Sequence, residues 1–135
     1  MMGVGEWKRG EVRIAGGHSC DDISSASWLR CPACGDEYLH QGAIHCWDRF
    51  IDEIGAKGTH LTVGTHSVSF DTDQSGNPSS RRHGVAIDFH CEQCDDAYEM
   101  QLVLSQHKGI TETYWRYRVN PDSEMWRDDS QEADK

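Results

Sequence analysis

Two C-x-x-C pairs, Cys31-Pro32-Ala33-Cys34 and Cys91-Glu92-Gln93-Cys94, constrain this chain more than any other feature. Together they supply four thiolates, the ligand set of a closed tetrahedral zinc site. One such pair is a weak signal; two in a short chain are a strong one. The first has the form of a knuckle. Pro32 stiffens the turn between the thiols. Gly35 gives the backbone freedom where it must fold back and bring its amides toward the sulfurs. The second pair lacks both residues. Between Cys34 and Cys91 lie 56 residues, well beyond the roughly 15–20 of a compact two-knuckle finger. That interval must hold structure of its own, and it reads as a sheet that a metal clips shut.

Cys31, Cys34, Cys91 and Cys94 are therefore the expected ligands of one structural Zn2+. Two disulfides, or a redox C-x-x-C, are the alternatives. The first ten residues, MMGVGEWKRG, carry no apolar signal core. A cytoplasmic, reducing location is thus expected, and it favours thiolate and metal over disulfide. Of the two remaining cysteines, Cys46 reads as a small buried hydrophobe and Cys20 as a loop residue. No stretch approaches 18 consecutive apolar residues, so no membrane span is expected.

At 135 residues the chain suits one domain with a small core that benefits from a metal staple. It divides into an irregular N-terminal arm (1–30), a zinc-stapled β domain (31–119) and an acidic C-terminal tail (120–135). In the arm, Glu11 to Ile14 reads as a short strand before Gly16-Gly17. Tyr38 to Trp47 reads as a strand with both faces partly covered. Asp48 to Gly58 reads as a helical turn or a loop. Thr59 to Phe70 reads as a strand whose apolar parity changes across Gly64, the pattern of a bulge. Asp71 to Gly84 is a loop by composition. Val85, Ile87 and Phe89 alternate up to Cys91. Met100, Leu102 and Leu104 alternate in the next strand, pointing inward. A turn at His107-Lys108-Gly109 leads into Ile110 to Val119, with Trp115 on the inner face and Tyr114, Arg116 and Arg118 on the outer. The fold class is mainly β: an antiparallel sheet, small barrel or sandwich, stapled by a zinc-ribbon-type site of four cysteines.

The combination Cys31-Pro-x-Cys34-Gly35 with Tyr38-Leu39-His40, Gly84-Val85-x-Ile87-x-Phe89-x-Cys91-Glu92-x-Cys94 and Gln106-His107-Lys108-Gly109-x-Thr111 resembles a group of small zinc-ribbon-like proteins of actinobacterial genomes and phages. The resemblance covers residues 31–118. It implies a metal-stapled β fold and a phage or mobile-element origin, and it names no activity.

The charge balance bears on function. There are 13 basic and 23 acidic residues, a net charge of −10, and a zinc tetrathiolate adds −2. The acidic excess lies wholly in residues 31–135. Such a chain is repelled by phosphates at long range unless its cations cluster. The expected function is thus a non-enzymatic, acidic, zinc-binding protein-interaction module. As a phage or mobile-element effector it would bind a host protein in the host cytoplasm, with nucleic-acid mimicry as one route. A nucleic-acid-binding zinc ribbon is the alternative. Its contacts would be Arg81, Arg82, His107, Lys108, Arg116 and Arg118, with Tyr114 as a stacking residue. Trp126, in the acidic tail, is a further candidate partner contact. A metal-dependent or redox enzyme is the third reading. It lacks support from any nucleophile elbow, phosphate loop or H-E-x-x-H, and a four-thiolate zinc has no open position for water.

Eight histidines invite a search for further sites. His40 and His90 are candidates to hydrogen-bond a thiolate from outside the ligand set. His40 and His45, five apart on a strand, are expected on opposite faces. His60 and His66 share a face only if Gly64 does not bulge. Each histidine also has an ordinary polar reading.

Overall fold

Strand propensity and period-two alternation dominate the chain, and the computed structural model is built from strands accordingly. It describes residues 7–12, 14–15, 28–49 and 58–124, with no α-helix among them. Seven strands form one antiparallel sheet: β1 (Lys8–Gly10), β4 (Leu39–Asp48), β5 (Thr59–Val63), β6 (Val68–Asp71), β7 (Gly84–Cys91), β8 (Asp95–His107) and β9 (Ile110–Val119). Their order across the sheet is β1-β9-β8-β7-β4-β5-β6. Two short strands, β2 (Ile14–Ala15) and β3 (Trp28–Leu29), pair separately. No helix among the described residues is long and apolar enough to cross a membrane.

The hairpin β8–β9 forms in the expected register, with Tyr98 opposite Val119 and His107 opposite Ile110. Lys108 takes a positive φ of 57° in its two-residue turn. Three details differ from the sequence reading. First, the parity change at Gly64 is a hairpin rather than a bulge. The Gly64 amide donates to Ser67 O at 2.8 Å, and Val63 pairs with Val68. Gly64 supplies the turn that separates two strands. Second, the bulge lies in β4, between Gln41 and Ile44, where three steps along β4 face two along β7. Third, the segment read as an arm contributes a strand: Lys8, Arg9 and Gly10 pair with Tyr117, Arg116 and Trp115 at the sheet edge. The region read as a helical turn or loop falls largely on residues 50–57, and the tail (120–135) largely on residues 125–135, Trp126 included; those residues lie outside the described ones, as does Cys20, whereas Asn120 and Ser123 are held against Asp96.

Both faces of the central strands are covered, as the sequence reads for Tyr38 to Trp47. On one face Trp115 is fully buried, with Phe89 packed edge-on at 5.2 Å. Met100 is buried beside it, but Leu104, expected inward, is 40% exposed. On the other face Trp47, Ala86 and Val103 form a second buried cluster with Tyr114 packed against it. The loop 72–83 closes over this polar face. Trp47 donates its indole N–H to Asp73 O at 3.0 Å, and Arg116 donates to Gly76 O at 2.7 Å. Gly84 permits that closure: a Cβ there would stand 2.1 Å from Asn77 Oδ1 and 2.9 Å from Pro78 Cδ.

Candidate metal centre

The four cysteines of the two pairs meet at one end of the sheet. The first knuckle runs into β4, and the second is the turn between β7 and β8. Leu39 at the start of β4 pairs with Cys91 at the end of β7, so strand register alone brings the knuckles together. Each knuckle is closed by its own backbone. In the first, the Gly35 amide donates to Cys31 O at 2.9 Å and the Cys31 amide to Asp36 O at 2.8 Å. The amides of Ala33 and Cys94 approach the sulfurs of Cys31 and Cys91 at 3.4 and 3.5 Å. Gly35 has φ of 85°, and Asp95, at the equivalent place after Cys94, has φ of 51°. The second knuckle therefore makes the same left-handed step without a glycine. Aspartate is among the residues that tolerate it.

The sulfurs are set for a tetrahedral ion. All four lie within 4.8 Å of one another. Cys31 Sγ and Cys94 Sγ are 3.8 Å apart, and Cys34 Sγ and Cys91 Sγ 3.5 Å. A tetrahedron with metal–sulfur bonds of about 2.3 Å has edges near ~3.75 Å. Cys31, Cys91 and Cys94 are buried and Cys34 is exposed. Ala97 and Met100 complete the buried cluster around them, with Leu39, Phe89, Tyr98 and Tyr117 packed alongside.

This packing makes bare thiolates costly. Desolvation pushes the Cys91 thiol up to about 11, against the lowering effect of the Cys94 amide. It pushes Cys94 up further still, and the neighbouring sulfurs add to the rise. At Cys34 desolvation also acts upward, but the backbone hydrogen bond at Asp36 and the facing cysteines outweigh it and lower its pKa. Four sulfurs at this spacing cannot all be anions without a cation among them. A metal ion would supply that charge, and tetrahedral four-thiolate sets suit zinc or iron.

The other expected site residues are placed as follows. His40 pairs with Glu92 at 3.5 Å and His90 with Asp95 at 3.6 Å. Both imidazoles thus engage carboxylates of the second knuckle rather than sulfur. Arg81, Arg82, His107 and Lys108 converge, lining a cavity of about 100 Å³ with Ser80 and Gln106. Tyr114, Arg116 and Arg118 do not join them. Arg116, expected to face outward, is 8% exposed, because the loop 72–83 covers it. Its Nε donates to Gln101 Oε1 at 2.7 Å, and burial lowers its pKa. Arg118 pairs with Glu99 and stacks on Trp7 at 4.0 Å. Tyr114 lies under Arg9 at 4.3 Å. The single basic-aromatic patch is thus two separate places.

A second polar assembly goes beyond the sequence reading. His45 Nδ1 and His60 Nε2 are 3.2 Å apart. Thr62 Oγ1 lies 3.4 Å from the first and 3.2 Å from the second. On the outer side His45 Nε2 meets Asp88 Oδ2 at 3.3 Å, and His60 Nδ1 meets Asp71 Oδ1 at 3.0 Å. Trp47 lies flat against His60, with centroids 4.6 Å apart and planes within 6°. The β4 bulge makes this possible. It returns His45 to the face of His40, since their β7 partners Ala86 and His90 are four residues apart. A break in alternation around Gly42 is the sequence signal for it, and that break does not identify partners. Comparison with protein-family models, with curated proteins and with solved structures finds nothing that matches this chain.

Proposed function

We propose that this chain is a non-catalytic protein-interaction module whose fold is stapled by Zn2+ and whose acidic surface selects a basic protein partner. The observation that carries the reading is the closed four-sulfur centre. Four thiolates saturate a tetrahedral ion, so the metal has no position for substrate or water and acts through the fold. The net charge of −10 then sets the class of partner, because opposite potentials steer association. An effector encoded by a phage or mobile element and acting on a host protein is the narrower form of this reading.

The test is affinity capture at low and moderate salt, followed by reconstitution from the two pure proteins. A stoichiometric complex with a basic protein, weakening as salt rises, supports the reading. Failure to reconstitute any such complex removes it.

The convergence of Arg81, Arg82, His107 and Lys108 on one cavity favours a second reading, nucleic-acid binding at that end of the sheet. Titration with DNA and RNA at low salt decides it. Affinity that falls steeply with salt, and that drops in Lys108→Ala, supports it; no binding at low salt excludes it.

A further inference from the structure

Resting on the reading of a basic protein partner, we propose that the outer edge of β6 is a strand-addition site, where an extended segment of that partner, alternating apolar and cationic side chains, joins the sheet. β6 ends the strand order, and among the described residues no strand pairs with its outer side. The hydrogen bond from the Gly64 amide to Ser67 O closes the β5–β6 hairpin and fixes the alternation along it. Ser69 and Asp71 direct their N–H and C=O groups to Thr62 and His60 of β5; Val68 and Phe70 direct theirs to the open edge. The side chains of Val68 and Phe70 are each 68% exposed. Open backbone groups and bare apolar side chains thus coincide on the same two residues.

The two ends of the sheet differ in how they meet solvent. β1 exposes Lys8 and Arg9 at its edge, and cations there discourage an incoming strand. β6 is exposed along its whole length and carries none. No Lys or Arg occurs from Gly58 to Ser80, whereas Asp71 and Asp73 do. The Asp73 amide donates to Asp71 Oδ1 at 2.8 Å, which holds the two residues together at this edge. A second copy of the chain would bring a net charge of −10 against −10. That opposes self-pairing and favours an occupant of opposite charge.

The pleat dictates the pattern of the occupant. Val68 and Phe70 share one face with their β5 partners Val63 and Leu61, and Asp71 lies on the other face with His60. A strand laid against β6 alternates in step with it. Its residues opposite Val68 and Phe70 meet an apolar strip, where Phe70, Leu61 and Cys46 line an open cavity of about 500 Å³. Its intervening residues share the face of Asp71, which suits lysine or arginine. Main-chain hydrogen bonds at the edge then supply attachment, and the two faces supply selectivity.

The probe is a short synthetic peptide alternating valine and lysine, added at low salt to the full metal-loaded chain and followed through the backbone amide resonances. The expected shifts concentrate on Val68 to Asp71, and hydrogen exchange at the Val68 and Phe70 amides slows about tenfold at a peptide concentration about ten times its Kd. The same peptide with every backbone nitrogen methylated keeps its charge but cannot donate to the edge, and it should produce neither effect. Phe70→Lys should abolish the protection by placing a cation on the strip. Thermal melts report whether it folds, and Val68→Lys replaces it where it does not. Equal binding of the methylated peptide overturns the proposal in favour of charge attraction alone. Shifts confined to other acidic surface overturn it too. So does protection of Val68 and Phe70 that appears without peptide as the molecular mass doubles, which assigns the edge to a second copy. Absence of peptide binding beside a reconstituted complex with a basic protein overturns the edge site alone; absence of both removes the basic partner with it.

Discussion

The cysteine centre and the histidine cluster are both built where β4 meets its neighbours, yet they do opposite things for the molecule. The cysteines sit at the strand ends, three of them buried in one cluster with Ala97 and Met100. The histidines sit in mid-sheet on a face already supported by Trp47, Ala86 and Val103. They are part-exposed and partnered by carboxylates. The cysteine cluster joins the ends of β4, β7 and β8; the histidine cluster lies on a face already packed by Trp47. Anionic sulfur in a dry setting demands a cation, whereas the imidazoles are already partnered by each other and by carboxylates.

The largest expected effect tests the first half of that contrast. Cys91→Ser removes a ligand that is wholly buried between the knuckles. The variant should lose cooperative thermal unfolding, because metal binding and folding of such a small core are one equilibrium. A sharp melt in the zinc-free variant would show that the sheet stands without its staple.

Acid should weaken the cysteine centre next. Cys91 is raised to about 11 and Cys94 further, so both carry protons at neutral pH in the metal-free fold. Unfolded thiols, near ~8.5, are protonated there too. Loading the ion therefore expels two or more protons in either reference state. Affinity falls as pH falls, by at least about 100-fold per unit. A competition titration against a chelator of known pH dependence reads that slope. A shallower slope would mean that the thiols are already ionised before the metal arrives.

Trp47→Ala attacks the histidine side. The indole is 5% exposed, stacks on His60 and anchors the loop through Asp73 O. Its loss should cost about 3–5 kcal/mol in denaturant unfolding. Metal content and protection of the four thiols from alkylation should survive, since Trp47 lies in a separate buried cluster from the cysteines. Loss of zinc from the folded variant would mean that the two ends are coupled. Gly84→Ala strikes the same face more gently. Its Cβ would collide with Asn77 and Pro78, and the loop must shift at a cost of about 1–3 kcal/mol.

The contrast also explains what can be read from the chain. A C-x-x-C pair is local: two residues fix the distance between its thiols, so the ligands of the cysteine centre are visible as spacing. The hairpin from Tyr98 to Val119 is visible for the same reason, through alternation around one short turn. The histidine cluster depends on register across four strands and on a bulge near Gly42, whose broken alternation does not say which residues meet. Arg116 looks exposed in the sequence because alternation assigns a face without saying what covers it. Here a loop 40 residues earlier does so, through Gly76 O. The turn at Gly64 passes for a bulge because a bulge and a tight hairpin both reverse apolar parity. Only the pairing of Val63 with Val68 separates them.

The smallest effect compares the two knuckles with each other. Gly35 and Asp95 occupy equivalent positions with positive φ, 85° and 51°. Nothing lies within 4 Å of a Cβ placed on Gly35, so Gly35→Ala meets no clash and bears only the strain of the left-handed backbone, about 1–2 kcal/mol. Asp95→Gly runs the other way. It relieves the same strain but adds entropy to the unfolded chain and gives up the ion pair with His90, which is solvent-exposed and worth little. The balance should be a gain of no more than about 1 kcal/mol, read as a small rise in melting temperature of the zinc-loaded protein. A clear loss would show that the Asp95 carboxylate does more than occupy a strained turn: it would make the His90 pair a fixed part of the second knuckle, and the two halves of the centre would then be held by different means.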